Sequence, residues 1–441
     1  MTTPEPASEP IPAPMPASFS TQPPTAQRPT LPAHRLRPAG APLALQGIRV
    51  IDFTRMLAGP YSTQQLADFG AEVIKVETPV TGDDSRHYTT TALAGECAFY
   101  LSTNRNKKSI TLDLKTAAGR EVALALIAGA DIVMENFSNG VMERFGLDYE
   151  SLKAKHPRLI YCSISGYGRD EITDVARRSY DGMAQAASGF MSLTGEAARL
   201  PMRTQVPMKD TATALTATSA VLAAVVARER LGLGQHVEVA LVDVAMACLT
   251  MYGMAYLVSG QDMQRNGNRA PQTAPSDTYA TLDGPLFVTC GNDRLFRRLV
   301  VDALGLPELA DDPAFATSVQ RVKNNERLTT LLSAAFMRHK REHWIAKLAA
   351  AGVPVAPVLS VGEAFASSDV LRRAIASQIP HPTAGTVPNI RAPFLMSLTP
   401  AADPVAPPLL GQHTQELLSQ MLRFDAVAIA TLARRGAFGP G

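Results

Sequence analysis

Residues 47–77, GIRVIDFTRMLAGPYSTQQLADFGAEVIKVE, decide the fold class of this chain. Their first apolar run, RVIDFT (49–54), predicts a strand, the segment 64–69 predicts a helix, and EVIKVE (72–77) predicts a second strand. Two neighbouring strands joined through a helix pair in parallel, because parallel pairing needs a crossover connection. The stretch therefore predicts the first strand–helix–strand unit of an α/β domain.

Four further strand-like runs extend this alternation to residue 243. Helix-length segments separate most of them, so the chain continues to predict a parallel sheet with helices on its faces. The pattern is typical of a doubly wound α/β domain. The predicted strands are SITLDL (109–114), DIVMENF (131–137), RLIYCSIS (158–165) and HVEVALVD (236–243), and the predicted helices cover 117–129, 150–155 and 211–230.

A second region begins near residue 262, where NGNRAPQTAPSD breaks the periodicity. The following YATLDGPLFVTC contains two short strand-like runs around Asp283 and Gly284, a residue pair favoured at tight hairpin turns. This region predicts a smaller unit that mixes helices with a hairpin. Its helices are expected at 293–304 and 324–351, followed by proline-rich segments at 353–357 and 380–408 and a last helix at 412–434.

The first 42 residues differ from the rest of the chain, because 12 of them are proline and none is Trp or Tyr. Such a segment buries too little apolar surface to offset its ordering entropy, so we expect 1–42 to be a disordered leader. No continuous apolar run follows a basic start, which argues against a secretory signal. A transit peptide is also disfavoured, because Glu5 and Glu9 bring acidic charge where such peptides avoid it.

Charge, cysteines and histidines exclude several classes of function. A net charge of +2 gives no electrostatic reason to expect nucleic acid or an anionic membrane as a partner. The four cysteines form no C-x-x-C pair, which argues against a zinc site and against a disulfide scaffold. They favour a reducing compartment, and we expect a cytoplasmic protein. The eight histidines are equally dispersed, so metal catalysis is disfavoured.

Two long uncharged runs and several missing motifs narrow the interpretation further. The runs 211–227 and 244–261 contain Thr, Ser or Gly, and we interpret them as buried core helices and not as membrane spans. The chain carries no P-loop, no H-E-x-x-H and no G-x-S-x-G. Its glycine pairs at 166/168 and 232/234 lack the third glycine of a dinucleotide fingerprint, so a nicotinamide enzyme is disfavoured.

Three local features are candidates for chemistry. The turn LAGPY (57–61) follows the first strand, at the edge where open α/β sheets bind ligands. The cluster of Arg105, Lys107 and Lys108 is either a phosphate site or a solvated basic turn. Asp210 precedes the uncharged helix, so an N-cap role is favoured, although a helix N-terminus also suits a nucleophile. The residues alone indicate a cytosolic α/β enzyme that handles an anionic ligand.

Six sequence blocks carry a family likeness. They are GIRVIDFTRMLAGPYSTQQLADFGAEVIKVETPVTGDDSR (47–86), NRNKKSITLDLK (104–115), ADIVMENFSNGVMERFGLDYESL (130–152), YCSISGYG (161–168), YDGMAQAASGFMSLTG (180–195) and PPLLGQHTQELL (407–418). Together they resemble the class III CoA-transferases, the family of formyl-CoA and carnitine CoA-transferases, whose fold α-methylacyl-CoA racemase shares. The similarity spans about 43–435 and leaves out the leader.

The resemblance implies an α/β fold with a Rossmann-like large domain, a smaller α+β domain and an interlocked homodimer. We expect the large domain over 43–240, completed by the C-terminal segment 355–441, and the small domain over 262–345. Interlocked protomers bury surface from both chains, so a free monomer should be hard to obtain.

The resemblance also implies a site. The nucleophilic aspartate of the family falls on Asp210, which would form an acyl anhydride and then an aspartyl-CoA thioester. Backbone amides at the start of the 211–227 helix are candidates for the oxyanion donors. No metal and no permanently bound cofactor is implied, because an acyl-CoA and a carboxylic acid are the substrates. The implied CoA contacts are Met56, Leu57, Ala58, Leu112, Lys115, Asn136, Arg144, Arg178, Tyr180 and Asp181.

Departures from the family pattern favour a transferase that acts on dicarboxylates. Tyr180 and Asp181 stand where racemases of this fold carry a His-Asp pair, and tyrosine is a poor acid/base near neutral pH. The glycine-rich lid of the oxalate-specific members is missing, which makes oxalate a less favoured acceptor. The NRNKKSI block and the LRFDAVAIATLARRG tail resemble the succinyl-CoA-dependent members that act on dicarboxylates such as glutarate, malate, citramalate or mesaconate.

Several assignments stay open at this point. Thr78 occupies the place of an adenine-side arginine found in some relatives, and Arg86 is a candidate substitute. Arg203, Lys209 and Arg269 are candidates for binding a distal substrate carboxylate, although each also fits an ordinary surface charge. An acyl-CoA racemase or epimerase of the same fold and a non-catalytic CoA-binding protein are the alternatives to a transferase.

Overall fold

A six-stranded parallel sheet forms the centre of the chain, as the strand–helix alternation predicts. The structure is a computed structural model and describes residues 29–88, 91–169 and 179–439. Its strands are β1 (Arg49–Asp52), β2 (Glu72–Glu77), β3 (Ala92–Leu93), β4 (Glu96–Cys97), β5 (Lys107–Thr111), β6 (Ile132–Glu135), β7 (Ile160–Ser165), β8 (His236–Ala240), β9 (Ser276–Ala280), β10 (Pro285–Thr289), β11 (Val355–Pro357), β12 (Ala376–His381) and β13 (Gly385–Ile390). The parallel sheet has the order β5-β2-β1-β6-β7-β8, which confirms the α/β class.

Helices connect the strands of this sheet. The α-helices are α1 (Ala58–Asp68), α2 (Ala98–Thr103), α3 (Ala117–Ala128), α4 (Val141–Phe145), α5 (Tyr149–Lys153), α6 (Asp181–Ala187), α7 (Met208–Leu231), α8 (Leu241–Ala247), α9 (Met251–Ser259), α10 (Asp293–Arg297), α11 (Glu308–Asp311), α12 (Ser318–Lys323), α13 (Asn325–Phe336), α14 (Arg341–Ala350), α15 (Val361–Ala366), α16 (Ser368–Arg372), α17 (Thr414–Glu416) and α18 (Ala426–Arg434). Short 3₁₀ turns lie at Asp84–Arg86 and Met191–Leu193, and π-helical turns lie at Arg298–Ala303 and Leu417–Met421.

Two hydrophobic clusters cover the two faces of the parallel sheet. Successive residues of a strand point to opposite faces. Val50 therefore packs in one cluster with residues of α1, α7 and α8, while Ile51 packs in the other with residues of α3 and α18. The near-continuous apolar character of the strands follows from this burial on both sides.

The boundaries differ from the predictions where charged residues are buried or where a turn is short. β5 begins at Lys107, before the predicted 109–114, because Lys107 is fully buried against Asp52 and a lysine does not mark a buried strand in a sequence. α1 begins at Ala58, well before the predicted 64–69. β8 ends at Ala240, and the rest of the predicted strand opens α8.

A separate three-stranded sheet lies in the second region. β9 and β10 pair antiparallel across the predicted hairpin, and β11 joins β10 on its other side. The sheet packs with helices into its own hydrophobic cluster, which includes Tyr279, Leu286, Phe336 and Trp344. The predicted helix at 324–351 is two helices, α13 and α14.

The C-terminal segment returns to the parallel sheet. Leu417, Leu418 and Leu432 pack in the cluster that contains Ile51. The Lys108 ammonium on β5 lies 2.8 Å from a carboxylate oxygen of Glu416, so an ion pair joins this segment to the edge of the sheet.

Part of the predicted leader is bound to the rest of the chain. The amide of Gln378 on β12 donates to the carbonyl of Pro32 at 2.8 Å, and the amide of Arg37 donates to the Asp403 carboxylate at 2.8 Å. The prediction of disorder is therefore wrong for residues 29–42, because an edge strand and an acidic side chain satisfy their backbone groups. Residues 1–28 lie outside the described part of the chain.

The two uncharged runs behave differently. In the described part of the chain, α7 is long and apolar enough to cross a membrane, and α8 with α9, bent by 77°, would pass the same test as a pair. α7 buries one face, including Ala217 and Val221. α9 buries none of its residues within the chain, so our interpretation of 244–261 as a buried core helix is wrong for that helix.

We expect Leu432→Ala to lower the free energy of unfolding by about 2–5 kcal/mol, because the replacement leaves a cavity. Leu432 is 4% exposed and packs on the sheet. The matched control is Val427→Ala in the same helix, where the side chain is 73% exposed and the change should stay within about 0.5 kcal/mol. Urea denaturation followed by circular dichroism measures both. Equal effects would contradict the packing of α18 described here.

Candidate active site

The helices α1 and α7 both begin at the carboxyl edge of the parallel sheet. Each is a crossover helix, so they run in the same direction, and the Ser62 hydroxyl lies 3.0 Å from that of Thr218. Asp210 lies eight residues before Thr218, whereas Ala58 lies four before Ser62, so α7 extends about 6 Å further at 1.5 Å per residue. Asp210 therefore lies beyond the edge at which open α/β sheets bind ligands.

Asp210 is the third residue of α7 and not its N-cap. The helix begins at Met208, and the preceding Pro207 makes no side-chain capping bond. The favoured N-cap interpretation is wrong because the helix starts earlier than its uncharged run, with a proline at the entry. No residue in the described part of the chain donates a hydrogen bond to the Asp210 carboxyl.

The carboxylate of Asp181 takes the capping role at this helix end. It accepts a hydrogen bond from the amide of Lys209 at 2.7 Å and one from the amide of Asp210 at 3.2 Å. The amides of Met208 and Thr211 donate to backbone carbonyls. The expectation that amides at the start of this helix serve as oxyanion donors is therefore wrong for these four, because each already has an acceptor.

Burial, and then the negative charge of Asp181, raise the pKa of Asp210 to about 7 from an ordinary value of 3.8. The side chain is therefore partly protonated at neutral pH. Its ionised form is poorly solvated, and a poorly solvated carboxylate is a stronger base and nucleophile than one in water. The arrangement can attack an electrophilic carbonyl.

A loop after β1 forms a second part of the site. Met56 adopts a positive φ of 68°, and its amide donates to the Asp83 carboxylate at 3.1 Å. Asn136, after β6, binds the backbone of Arg55 on both sides, accepting from its amide and donating to its carbonyl at 2.8 Å each. The side-chain amide of Asn136 is thus used to hold the loop.

Buried charges lie directly beneath this loop. The Lys75 ammonium lies 2.8 Å from Asp83 and donates to the carbonyl of Thr54 at 2.8 Å. Burial alone would raise the pKa of Asp83, but the Lys75 charge and several hydrogen bonds lower it to about 2. Lys107 lies 3.1 Å from Asp52, and burial lowers its pKa to about 8 although Asp52 opposes the shift. These pairs fix the loop from below.

The sequence and the fold together identify the family. The model of CoA-transferase family III matches residues 45–414. The chain belongs to this family. It is 38% identical over 397 residues to the succinyl-CoA:glutarate CoA-transferase of Mus musculus, with 89% of each chain covered. It is 39% identical over 391 residues to the succinate–glutarate CoA-transferase of Agrobacterium fabrum, covering 87% of this chain and 97% of the relative.

A solved structure supports the same assignment. A CAIB/BAIF family protein from Brucella suis matches with a TM-score of 0.79 at 39% identity, covering 86% of this chain and 100% of that protein. The resemblance inferred from the six sequence blocks is confirmed, and the protein is a CoA-transferase.

The interpretation of the basic cluster at 105–108 as a phosphate site is wrong, because each of its cations has an acidic partner in the CoA-transferase. Arg105 pairs with Asp68, Lys107 with Asp52, and Lys108 with Glu72 and Glu416. These residues are not a solvated turn either, because Arg105 and Lys107 are buried. Local spacing places three cations together but does not show that acidic partners arrive from α1, β1, β2 and α17.

The guanidinium of Arg86 is also bound by internal partners of the CoA-transferase. Its guanidinium donates to both carboxylate oxygens of Glu77 at 2.8 Å and to the Tyr100 hydroxyl at 2.6 Å. It also lies over the Tyr100 ring, 3.6 Å from the centroid. Arg86 is therefore unsuited to the adenine contact proposed for it.

The predicted CoA contacts fall into several settings. Met56, Leu57 and Ala58 form the loop and the start of α1, and Leu112 packs its side chain in the core, which leaves only its backbone for a ligand. Lys115 and Arg144 are exposed, and neither forms an ion pair within the described residues. Tyr180 is 54% exposed beside the buried Asp181, and Arg178 lies outside the described residues.

The three candidates for a distal carboxylate also differ. Arg269 pairs with Asp277 at 3.3 Å, and the Lys209 ammonium lies 3.3 Å from the centroid of the Phe190 ring. Arg203 is exposed. Sequence reasoning missed three buried residues that position the site through hydrogen bonds and an ion pair: Lys75, Asp83 and Gln185. A lysine within EVIKVE, for example, gives no local signal of its distant partners.

We expect Asp210→Asn to raise the free energy of unfolding at pH 8 by about 2–4 kcal/mol. The raised pKa means that the folded state resists ionising this carboxyl, so its presence destabilises the fold increasingly from about pH 4 to about pH 7. The difference between variant and parent should therefore vanish toward pH 4. Urea denaturation across this range measures it, with the exposed Asp262→Asn as control. A pH-independent difference would contradict the raised pKa.

Proposed function

We propose that this CoA-transferase moves CoA from succinyl-CoA to a short dicarboxylic acid such as glutarate. The observation that carries the proposal is the similarity, over most of the chain, to two enzymes named for succinate and glutarate. The missing glycine-rich lid and the tail of the sequence favour the same group. The missing glycine-rich lid also makes oxalate a less favoured acceptor.

In the proposed mechanism the Asp210 carboxylate attacks the carbonyl of succinyl-CoA. A bond forms from the aspartyl oxygen to the acyl carbon and the carbon–sulfur bond breaks, giving a mixed anhydride and CoA thiolate. The thiolate attacks the aspartyl carbonyl and releases succinate, which leaves an aspartyl-CoA thioester. The acceptor carboxylate attacks the carbonyl of this thioester and the carbon–sulfur bond breaks, giving a second mixed anhydride and CoA thiolate. The thiolate then attacks the acceptor carbonyl of that anhydride, which gives the acceptor CoA thioester and releases the Asp210 carboxylate.

The setting of Asp210 supports this role. A nucleophilic carboxylate must be ionised and reachable, and the free carboxyl at the first turn of α7 meets the second condition. Because its pKa is about 7, a substantial fraction of the Asp210 carboxyl is ionised at neutral pH, and this carboxylate is more basic than that of an ordinary aspartate. No metal or ATP is needed, because each step exchanges carboxylates or thiolates of similar energy.

CoA is proposed to bind along the loop 54–58, with Lys115 and Arg144 on its phosphates. These two cations are exposed and form no ion pair within the described residues, unlike Arg86, Arg105 and Lys107. A free cation gains a phosphate contact without losing an internal one. Among the described residues, Tyr180 is the third predicted CoA contact with an exposed side chain.

We also propose that the enzyme is an interlocked homodimer in the cytoplasm. α9 presents apolar side chains that the described part of the chain leaves largely uncovered: Met251, Met254, Tyr256, Leu257 and Val258 are 48–81% exposed. An apolar surface of this kind is typical of an obligate interface. The four cysteines form no disulfide within the described residues, which fits a reducing compartment.

Trapping with hydroxylamine tests the covalent step. Incubation with succinyl-CoA should convert Asp210 to a hydroxamate, because hydroxylamine attacks the aspartyl thioester, and activity should be lost with it. Peptide mass spectrometry locates the label. Asp210→Asn should show no label and should lower kcat by at least about 10³-fold. Asp243→Asn, an exposed carboxylate on α8, is the matched control and should behave as the parent. Label elsewhere would sink the mechanism.

A panel of acceptor acids tests the substrate class. With succinyl-CoA as donor, glutarate should give kcat/KM at least about tenfold above oxalate and above butyrate, which lacks a second carboxylate. Chromatography of the CoA thioesters measures the products. Solvent deuterium entering the α-carbon of a 2-methylacyl-CoA without any acceptor acid would instead favour the racemase alternative.

A further inference from the structure

Asp181 lies at the first position of α6 and is 8% exposed. The family resemblance assigns it to CoA binding, but its carboxylate points into the protein. One oxygen, Oδ2, accepts from the amides of Lys209 and Asp210, at 2.7 and 3.2 Å. Two donors on one oxygen anchor the nucleophile's own backbone.

The other oxygen of Asp181 is occupied by a buried glutamine. The side-chain nitrogen of Gln185, one turn along α6, donates to Asp181 Oδ1. Gln185 also accepts from the amide of Thr204 at 2.9 Å and donates to the Thr204 carbonyl at 3.4 Å. Both carboxylate oxygens of Asp181 thus have internal donors, and Gln185 links them to the segment that leads into α7.

The first turn of α7 lacks a cap of its own. Pro207 makes no side-chain capping bond, and an uncapped first turn leaves amides that need acceptors. Asp181, 29 residues earlier in the chain, supplies the acceptor for two of them. A negative charge at a helix N-terminus is also stabilised by the helix dipole.

We propose that Asp181 is a positioning residue that holds the Asp210 backbone at the start of α7, and that it does not bind CoA. The inference rests on the proposed function, in which Asp210 is the nucleophile. The cap that Asp181 provides from α6 fixes the backbone position of Asp210 and so the place from which its side chain extends. The negative charge of Asp181 also disfavours ionisation of the neighbouring Asp210 carboxyl.

Among the described residues, Asp181 is the charged group that contributes to the raised pKa of Asp210. It faces Asp210 from α6, and burial and then this charge are the causes of the shift. Lys209, the neighbour of Asp210 on α7, has its ammonium over the Phe190 ring, and burial lowers its pKa although Cys248 and Asp181 oppose the shift. Asp181 is therefore the charge whose removal should most change how Asp210 titrates.

Two variants separate the cap from the charge. Asp181→Asn keeps an oxygen that can accept from the two amides but removes the charge, so the acidic limb of the kcat/KM profile should shift to lower pH by about half a unit or more. Asp181→Ala removes both, so kcat should fall at least about tenfold, with KM for succinyl-CoA within about twofold of the parent. Asp262→Asn is the control for a general loss of acidic charge. A raised KM with an unchanged kcat and pH profile would overturn the proposal in favour of CoA binding.

Hydrogen exchange tests the cap without any reaction. In Asp181→Ala, the amides of Lys209 and Asp210 should exchange at least about tenfold faster, whereas Asp181→Asn should retain most of their protection. Unchanged exchange in both variants would overturn the positioning role, whatever the enzyme does. If Asp210→Asn proves fully active, the proposed function fails by itself, and the exchange experiment still decides the role of Asp181.

Discussion

The buried ammonium of Lys75 holds together the edge of the sheet at which the site lies. It reaches from the middle of β2 to the carboxylate of Asp83 and to the carbonyl of Thr54, so one cation fixes the chain on both sides of α1. Asp83 in turn accepts from the amide of Met56. A buried ion pair adds little net stability compared with apolar packing, but removing one partner leaves a costly charge. Its value is to specify one geometry for this loop.

The fold could be predicted because apolar periodicity repeats with every strand and helix. EVIKVE is a strand end to end, and the alternation gave parallel pairing correctly. Periodicity failed where burial depends on distant partners. Lys107 looks like a turn residue until Asp52 is known to face it, and α9 looks like a core helix although the described part of the chain buries none of its residues. A sequence shows what a residue prefers, not which residue meets it.

The same limit applies to the site. The position of Asp210 near the start of a helix was visible, but not that Pro207 leads into the helix and that Asp181 caps it from 29 residues away. Family resemblance assigned Asp210 as the nucleophile and Asp181 as a CoA contact. Hydrogen bonding shows a different setting for Asp181, which has donors on both oxygens, whereas the described residues provide none to the carboxyl of Asp210. The fold therefore uses the carboxylate of Asp181 but not that of Asp210.

That division has a physical cost and a purpose. Placing two carboxylates together in a poorly solvated site opposes folding, and the two amides at the start of α7 offset part of this for Asp181 alone. Asp210 receives no such compensation, so the strain falls on its ionised form, as its pKa of about 7 indicates. In the mechanism proposed above, an acyl group attached to Asp210 would remove that charge. The site would then disfavour the free carboxylate more than the acylated state, which would lower the barrier to acylation.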